Sequence, residues 1–521
     1  MCDFLTNMSY RTVIQMTIGG TKIRLKFSNL YGDNDVTIDE TNIARTSVSN
    51  EADIISGSII PVTFNGKRSV TIPAGKEIYC DEIEMSVSAL EYISITSYVK
   101  NFTYFKTAGF YGGTTYTEFG NRLEEESFTS MSPLNFTSGA ITYHQIPFLC
   151  EADVWVPSNY YSIVFIGDST ITNQSPYYLA ERLQRSGVQN VGVCQQAIIA
   201  NKLLNDGDGN SIVGNIYGES LLKRFDHDAL QTAGVKAVFV KIGLNDVIHP
   251  RCKSMADKVP LVSAADIIEG YKTIIEQAHK AGCKIYFFSR TAWKGYSRDF
   301  GLTSGDEPDV EWTQESEDLL LSLNEWLKTE ADIDGYIDLD FLRDPDDSTK
   351  LKDEYTSDGA HLTELGARLL ADAVPGECFG VSNSKLISVN SLYLSGRGGE
   401  KVTSPFTPVT TINTPATEAT TKKTTTTATV TSNNTQTELI TVTQTHIDSI
   451  QQLTEYTTIL SPVIQTTLTP VTESSTELVA PEPEKELDTG TIVGIIVVAV
   501  LLIGCASFLT VFFVNKKRMA D

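Results

Sequence analysis

Apolar and polar positions change their rhythm along this chain, and each change marks a different kind of structure. Up to about residue 157 the apolar residues come in short β-prone runs at 22–27, 58–64, 69–72 and 91–99, broken by glycine and Asn65-Gly66 punctuation. Short runs of this kind bounded by turn residues predict a sandwich or jelly roll. From Tyr160 onward, apolar runs at 162–166, 188–193, 237–242, 284–289 and 336–339 alternate with helical patterns at 176–185, 264–281 and 314–329, closed by 363–373. Buried strands alternating with amphipathic helices predict an α/β domain, a doubly wound parallel sheet covered on both faces. After about Lys401 the pattern is lost, and threonine, serine, proline and valine dominate 403–475, including Thr424-Thr425-Thr426-Thr427. Such a segment buries too little apolar surface to offset its ordering entropy, so it reads as an extended stalk, either O-glycosylated or a plain linker.

The last change is to 492–514, which is apolar apart from glycine, serine and threonine and carries no charge. At ~1.5 Å per residue it is long enough to cross a hydrocarbon core of ~30 Å. Lys516-Lys517-Arg518 follow it, and Glu482, Glu484, Glu486 and Asp488 precede it. By the positive-inside rule the carboxyl terminus faces the cytosol and the globular part lies outside, on a single-pass plasma-membrane anchor. The expected organisation is a β-rich module at 1–157, an α/β domain at 158–380, a stalk at 381–490, a transmembrane helix at 491–515 and a short tail at 516–521. The first twenty residues hold no apolar h-region of a signal peptide. A truncated start is the expectation that reconciles this with an outside location; tail-anchored insertion with a cytosolic domain is the lesser alternative. Sequons at Asn7, Asn101, Asn135, Asn173 and Asn433 are compatible with secretion, and Asn173 is expected to stay unmodified because of its nearness to Ser169.

Charge narrows the partners. Lys and Arg total 41 against 65 Asp and Glu, for a net charge of -24, which repels phosphate backbones and argues against nucleic acid. Six histidines without an H-E-x-x-H spacing and eight cysteines without a C-x-x-C pair give no metal or cofactor signal. Cysteines 80, 150, 194, 252, 283 and 378 are as compatible with buried thiols as with disulfides, and no pairing follows from their spacing.

Three short motifs carry the chemistry. Ser162-Ile163-Val164-Phe165-Ile166 runs into Gly167-Asp168-Ser169-Thr170, placing Ser169 at the carboxyl edge of a buried strand, where doubly wound sheets bind ligands. Gly243-Leu244-Asn245-Asp246 ends another apolar run, and Asp358-Gly359-Ala360-His361 precedes the final helix. Taken singly, Ser169 reads as a helix cap, Asn245 as a turn residue, Asp358 as a cap and His361 as a surface histidine. Taken together and in this order, they supply a nucleophile, an imidazole to deprotonate it and a carboxylate to hold the imidazole. No G-x-S-x-G elbow surrounds Ser169.

These motifs resemble the SGNH or GDSL family of serine hydrolases, with similarity running over about 12–373. The amino-terminal module resembles that of family members through Gly19-Gly20, Arg24-Leu25-Lys26-Phe27-Ser28-Asn29-Leu30-Tyr31-Gly32 and Val70-Thr71-Ile72-Pro73-Ala74-Gly75, and Arg224-Phe225-Asp226 matches as well. The resemblance implies a flavodoxin-like hydrolase fold and a metal-free, cofactor-free esterase. In it Ser169 is the nucleophile, His361 the base and Asp358 its partner. The oxyanion donors are the Ser169 N–H, the Asn245 amide and a backbone N–H from Gln195-Gln196-Ala197-Ile198-Ile199-Ala200-Asn201-Lys202-Leu203-Leu204, where Ala200 stands in place of the family's glycine. A backbone donor survives that change, but the added methyl crowds the substrate and is strained if φ is positive. Leu362, where relatives often carry proline, is read as harmless.

The expected substrate is a small-molecule or glycan ester with a short or acetyl acyl group. The rivals are a surface glycan-binding adhesin without turnover and a lipid acylhydrolase, though no clear lid segment is visible. Trp293, Tyr296 and Phe300 are candidates to line an acyl pocket or simply to pack. His227, His249 and His144 have no partner visible in the sequence and read as structural.

Overall fold

The computed structural model describes residues 4–47, 51–109, 112–128, 132–138, 141–172, 174–207, 217–253, 259–296, 310–396, 423–431 and 437–445. The amino-terminal part holds a six-stranded antiparallel sheet in the order Ser132–Pro133, Gly113–Phe119, Met8–Gln15, Tyr92–Val99, Glu40–Arg45, Ile60–Val62. A three-stranded antiparallel sheet of Leu149–Val154, Ile23–Ser28 and Glu77–Tyr79 shares its core. Tyr10, Ile43, Ile93 and Ile95 of the first sheet join Ile23, Leu25, Phe27 and Leu149 of the second in one buried cluster. Strand alternation then sends Arg24 and Lys26 to the opposite face, a point that matters below. On the far face of the larger sheet Arg11 is fully buried, donating to the carbonyls of Ala52, Glu125 and Glu126 beneath the ring of Phe128.

The second part is a five-stranded parallel sheet ordered Val191–Gln195, Tyr161–Gly167, Val235–Lys241, Lys284–Phe288, Gly335–Ile337. In chain order this is 2-1-3-4-5, the flavodoxin-like arrangement of a doubly wound sheet. Its strands bury both faces, so successive residues serve opposite cores. Val164, Ile166, Val238, Val240, Ile285 and Phe287 pack beneath the helices Ala264–Lys280 and Gln314–Thr329. Ile163, Phe165, Ala237, Phe239, Tyr286 and Phe288 pack against Ser175–Arg185 and Glu364–Ala373. The long helix Ala264–Lys280 starts at a capping box in which Ser263 and Asp266 exchange hydrogen bonds.

Boundaries depart from the sequence reading where a side of the pattern was shared by a turn. The second strand begins only at Val191, because Val188 still turns back to donate to the carbonyl of Leu183 at 2.9 Å. Leu221–Phe225, continuing into a π-helical turn at Asp226–Leu230, and the short helix Leu244–Ile248 carry too few residues to show a helical period. Within the expected stalk, Lys423–Thr431 and Thr437–Thr445 pair antiparallel rather than running alone, in keeping with the strand preference of β-branched threonine. Among the described residues no helix is long and apolar enough to cross a membrane, and the run at 492–514 lies outside them, as do Asn173 and Asn433. Cys80, Cys150, Cys194, Cys252, Cys283 and Cys378 are free thiols.

Candidate active site

The first parallel strand ends at Gly167 with φ 157°, against the third strand. A Cβ at this position would lie 1.9 Å from the carbonyl oxygen of Lys241, so only glycine lets the two strands close here. Asp168 then donates its N–H to the same carbonyl at 3.2 Å, and the turn lifts half-buried Ser169 above the sheet edge. This is the point where strand order reverses, the crevice in which such sheets bind ligands.

His361 meets Ser169 there. Its Nε2 lies 2.8 Å from Ser169 Oγ, and its Nδ1 lies 2.7 Å from Asp358 Oδ2. The other Asp358 oxygen accepts the N–H groups of His361 at 2.8 Å and Ala360 at 3.1 Å. Burial pushes this carboxyl up, but the hydrogen bond and charge of His361 and the two backbone donors outweigh it and hold it at about 2. Asp358 is therefore ionised at neutral pH and keeps the proton on Nδ1, leaving Nε2 free to accept one from Ser169. The loop is tied to itself: the Thr356 hydroxyl donates to the His361 carbonyl at 2.8 Å and accepts from the Gly359 N–H at 2.9 Å. Gly359 sits at φ 94°, where a Cβ would come within 2.6 Å of the Tyr296 nitrogen.

The opposite wall is the loop after the second strand. Gln196 N–H donates to the Phe165 carbonyl at 2.7 Å and Ile198 N–H to the Gly167 carbonyl at 3.1 Å, which pins the loop beside the Ser169 turn. Ala200 has φ 53°, in the left-handed region that favours glycine, so the residue that departs from the resemblance is also strained. The Asn245 amide donates to the Asn201 carbonyl at 3.1 Å, which brings Asn245 to the Ala200–Asn201 segment. Buried Asp246 accepts the N–H groups of Leu203 at 2.8 Å and Leu204 at 3.0 Å; burial raises its carboxyl to about 6 against those two donors. The N–H groups of Ser169 and Ala200 have no protein acceptor among the described residues, which leaves them available to a ligand oxygen.

Several residues around the site escaped the sequence reading. Arg224 is fully buried and donates from Nη2 to the Gly167 carbonyl at 3.0 Å and from Nη1 to the Gln196 carbonyl at 2.7 Å. It also reaches Asn201 Oδ1 from Nε at 3.1 Å and from Nη2 at 2.9 Å, while Asn201 donates to the carbonyls of Tyr217 and Glu219. Lys241, on the strand beside the Ser169 turn, donates to Thr170 Oγ1 at 2.6 Å, and that hydroxyl donates to Asp168 Oδ1 at 2.6 Å. Burial pushes the Lys241 ammonium down to about 7, with Asp168 pulling it up. A lysine inside the apolar run 237–242 was a visible signal; Arg224 was visible only as a motif.

The readings left open for the aromatics and histidines narrow. Trp293 is fully buried and cannot line an open pocket, whereas Tyr296, nearly buried, packs its ring edge-on to His361 at 5.7 Å between centroids; Phe300 lies outside the described residues. His227 does have partners, Asp228 and Glu77, the latter far away in sequence. His249 is fully buried, in line with a structural place. Among the described residues no group of three or more His, Cys, Asp and Glu is disposed to hold a metal ion.

Residues 165–369 match the GDSL-like lipase/acylhydrolase family. No curated protein matches the chain in sequence. Among solved structures, it is similar to a GDSL-like lipase from Bacteroides thetaiotaomicron at 16% identity, with 40% of this chain and 83% of that one covered and a TM-score of 0.27. An acetyl xylan esterase is similar at 20% identity, covering 41% and 96% with a TM-score of 0.29. An acetylxylan esterase from Geobacillus stearothermophilus is similar at 13% identity, covering 45% and 99% with a TM-score of 0.33.

Proposed function

We propose that residues 165–369, which match the GDSL-like lipase/acylhydrolase family, form a carboxylic ester hydrolase in which Ser169 is the nucleophile, His361 the general base and Asp358 the residue that orients the base. The observation that carries the reading is His361 itself, bonded to Ser169 Oγ at 2.8 Å on one nitrogen and to Asp358 at 2.7 Å on the other.

In the first step His361 Nε2 takes the hydroxyl proton as Ser169 Oγ bonds to the ester carbonyl carbon. The tetrahedral oxyanion accepts from the N–H groups of Ser169 and Ala200 and from the second hydrogen of the Asn245 amide. Collapse breaks the bond to the alkoxide, which leaves with the proton returned by His361, and the acyl group stays on Ser169. Water then repeats the sequence: His361 takes its proton, its oxygen attacks the acyl carbon, and Ser169 Oγ departs reprotonated. Asp358 remains ionised throughout and stabilises the imidazolium.

The substrate reading is a short-chain, acetyl-type ester, carried on a carbohydrate. The methyl of Ala200 and the ring of Tyr296 beside His361 support a narrow acyl site. The location reading is a cell-surface protein held by the apolar segment 492–514, supported by the basic residues after it and the acidic ones before it. Strained Ala200 also favours a second reading, a surface glycan-binding protein without turnover.

Hydrolysis of p-nitrophenyl acetate by the wild type and by Ser169→Ala separates the two. Turnover falling by roughly 10⁴-fold or more in the variant supports the esterase. A folded wild type without turnover, or a variant equal to it, overturns the catalytic assignment.

A further inference from the structure

We propose that the β-rich module is a working part of this active site: through Glu77 it fixes His227 and Asp228, and through them the buried Arg224 that positions the oxyanion loop. The inference rests on the acyl-transfer reading of Ser169.

Glu77 begins the edge strand Glu77–Tyr79 of the smaller module sheet, on the face to which Lys26 points, and pairs with Lys26 at 2.9 Å. From there it reaches out of the module to His227 Nε2 at 3.0 Å. His227 stands in the π-helical turn Asp226–Leu230, with Nδ1 2.7 Å from Asp228 Oδ1. Its hydrogen bonds to the carboxylates of Asp228 and Glu77, opposed by burial, raise this imidazole to about 10, so it is a cation held between two carboxylates at neutral pH. The second oxygen of Asp228 accepts from Arg224 Nη1 at 2.9 Å.

What Arg224 does with its other donors decides its role. They end on the carbonyls of Gly167 and Gln196 and on the side chain of Asn201. Gly167 lies two residues before Ser169. Asn201 follows Ala200, and its own carbonyl holds the Asn245 amide. A single planar guanidinium thus bonds the Gly167 carbonyl, two residues before the Ser169 donor, and the side chain of Asn201, which follows the Ala200 donor and holds the Asn245 amide. A second strut from the module ends nearby: the Tyr31 hydroxyl donates to Glu219 Oε2 at 3.2 Å, and the Glu219 carbonyl accepts from Asn201 Nδ2 at 2.7 Å. Both routes from the module converge on Asn201.

Arg224 and His227 are positioning residues, since neither touches the reacting atoms. Asp228 balances the buried guanidinium, and His227 orients Asp228. Glu77 fixes the outer nitrogen of His227. Removing Glu77 leaves the cation short of one carboxylate and lets Asp228 and Arg224 shift. Donor displacement of an ångström or less at an oxyanion site is costly, because those bonds strengthen only in the transition state.

The test compares full-length wild type, Ser169→Ala, Glu77→Ala, Glu77→Gln and Glu91→Ala on p-nitrophenyl acetate. Active serine is titrated with a fluorophosphonate so that kcat refers to competent sites. Glu77→Ala is expected to lower kcat per titrated serine about 10-fold with KM within about twofold, the mark of a lost transition-state contact. Glu77→Gln still accepts from His227 and is expected to restore most of that loss. Glu91 pairs with Arg45 inside the module and away from this junction, so Glu91→Ala reports module destabilisation alone and is expected to keep wild-type kcat. Wild-type kcat in Glu77→Ala, or an equal loss in Glu91→Ala, overturns the coupling while Ser169 still labels and turns over. A wild type whose serine does not label, or a Ser169→Ala variant with full turnover, overturns the acyl-transfer reading and the coupling with it.

Discussion

His361 and Asp358 stand three residues apart on one self-tied loop, whereas the oxyanion wall is drawn from distant segments: Asn245 meets Asn201 across 44 positions, and Arg224 meets Asn201 across 23 and Gly167 across 57. In the proton-handling half the His361–Asp358 pair is built by local chemistry, and only Ser169 reaches it from afar, across 192 positions. Once Gly359 takes its positive φ and Thr356 closes the turn, the aspartate is already beside the imidazole. The oxyanion half exists only when the sheet, the helix Leu221–Phe225 and the β-rich module are all in place. Local preorganisation makes the first half robust, while long-range bracing makes the second adjustable.

The largest effect expected within this comparison is on the local half. Asp358→Asn is expected to lower kcat by roughly 10³- to 10⁴-fold, because an amide no longer selects the tautomer that accepts from Ser169. The same substitution reads out stability. The Asp358 carboxyl is depressed from 3.8 to about 2 in the fold, so its ionised form contributes stability that is present above pH 3.8 and lost as pH falls through 2. Denaturant titrations at pH 6 and pH 2 are expected to show the wild type more stable than Asp358→Asn at the first and close to it at the second. A stability gap that persists at pH 2 breaks the claim that this half is held by the His361–Asp358 pair.

Asn245→Ala tests the braced half at smaller amplitude. Loss of one oxyanion donor is expected to lower kcat by about 10²- to 10³-fold with little change in KM. The same change frees the Asn201 carbonyl, so part of the loss is expected to be shared with Glu77→Ala: combining the two is expected to cost less than the product of the separate losses. Strict multiplicativity sharpens the picture in the other direction, toward a loop that Arg224 holds without help from Asn245.

What the sequence made legible follows the same division. Apolar runs marked the inner strands of the parallel sheet, as in Ile163-Val164-Phe165-Ile166 and Ala237-Val238-Phe239-Val240, because a strand buried on both faces has few polar positions to confuse the pattern. Ser169, Asn245, Asp358 and His361 were legible because each lies in a short motif at a strand end or before a helix, and Asp358 meets His361 within the motif itself. Arg224 and Asp246 stood inside the sequence motifs and Lys241 inside an apolar run, but their roles were not legible. Their function lies in partners such as the Gly167 carbonyl, the Leu203 N–H and the Thr170 hydroxyl, which no spacing rule places beside them. No partner of His227 was visible because Glu77 lies 150 positions away, on a strand of the β-rich module. The role of Trp293 stayed open between lining and packing because an aromatic in a loop after a strand has the same pattern whether it lines a pocket or fills the core; it packs.

Ala200 carries the smallest expected effect and the finest test. At φ 53° alanine carries a left-handed backbone penalty of about 1 kcal/mol, which glycine avoids. Glycine also gives the unfolded chain more freedom, an opposing term of about 0.4–1 kcal/mol, so Ala200→Gly is expected to leave stability nearly unchanged. The informative readout is therefore selectivity. The N–H donor remains while the methyl disappears, and the turnover ratio of p-nitrophenyl butyrate to p-nitrophenyl acetate is expected to rise about 3- to 10-fold, the scale of a methylene or less in an apolar pocket. A ratio that stays fixed while both rates rise together assigns the methyl to strain in the donor rather than to crowding of the acyl group. Either way the change acts on the braced half alone: the rate loss caused by Asp358→Asn is expected to be the same in an Ala200→Gly background as in the wild type, and a dependence of one on the other contradicts the independence of the two halves.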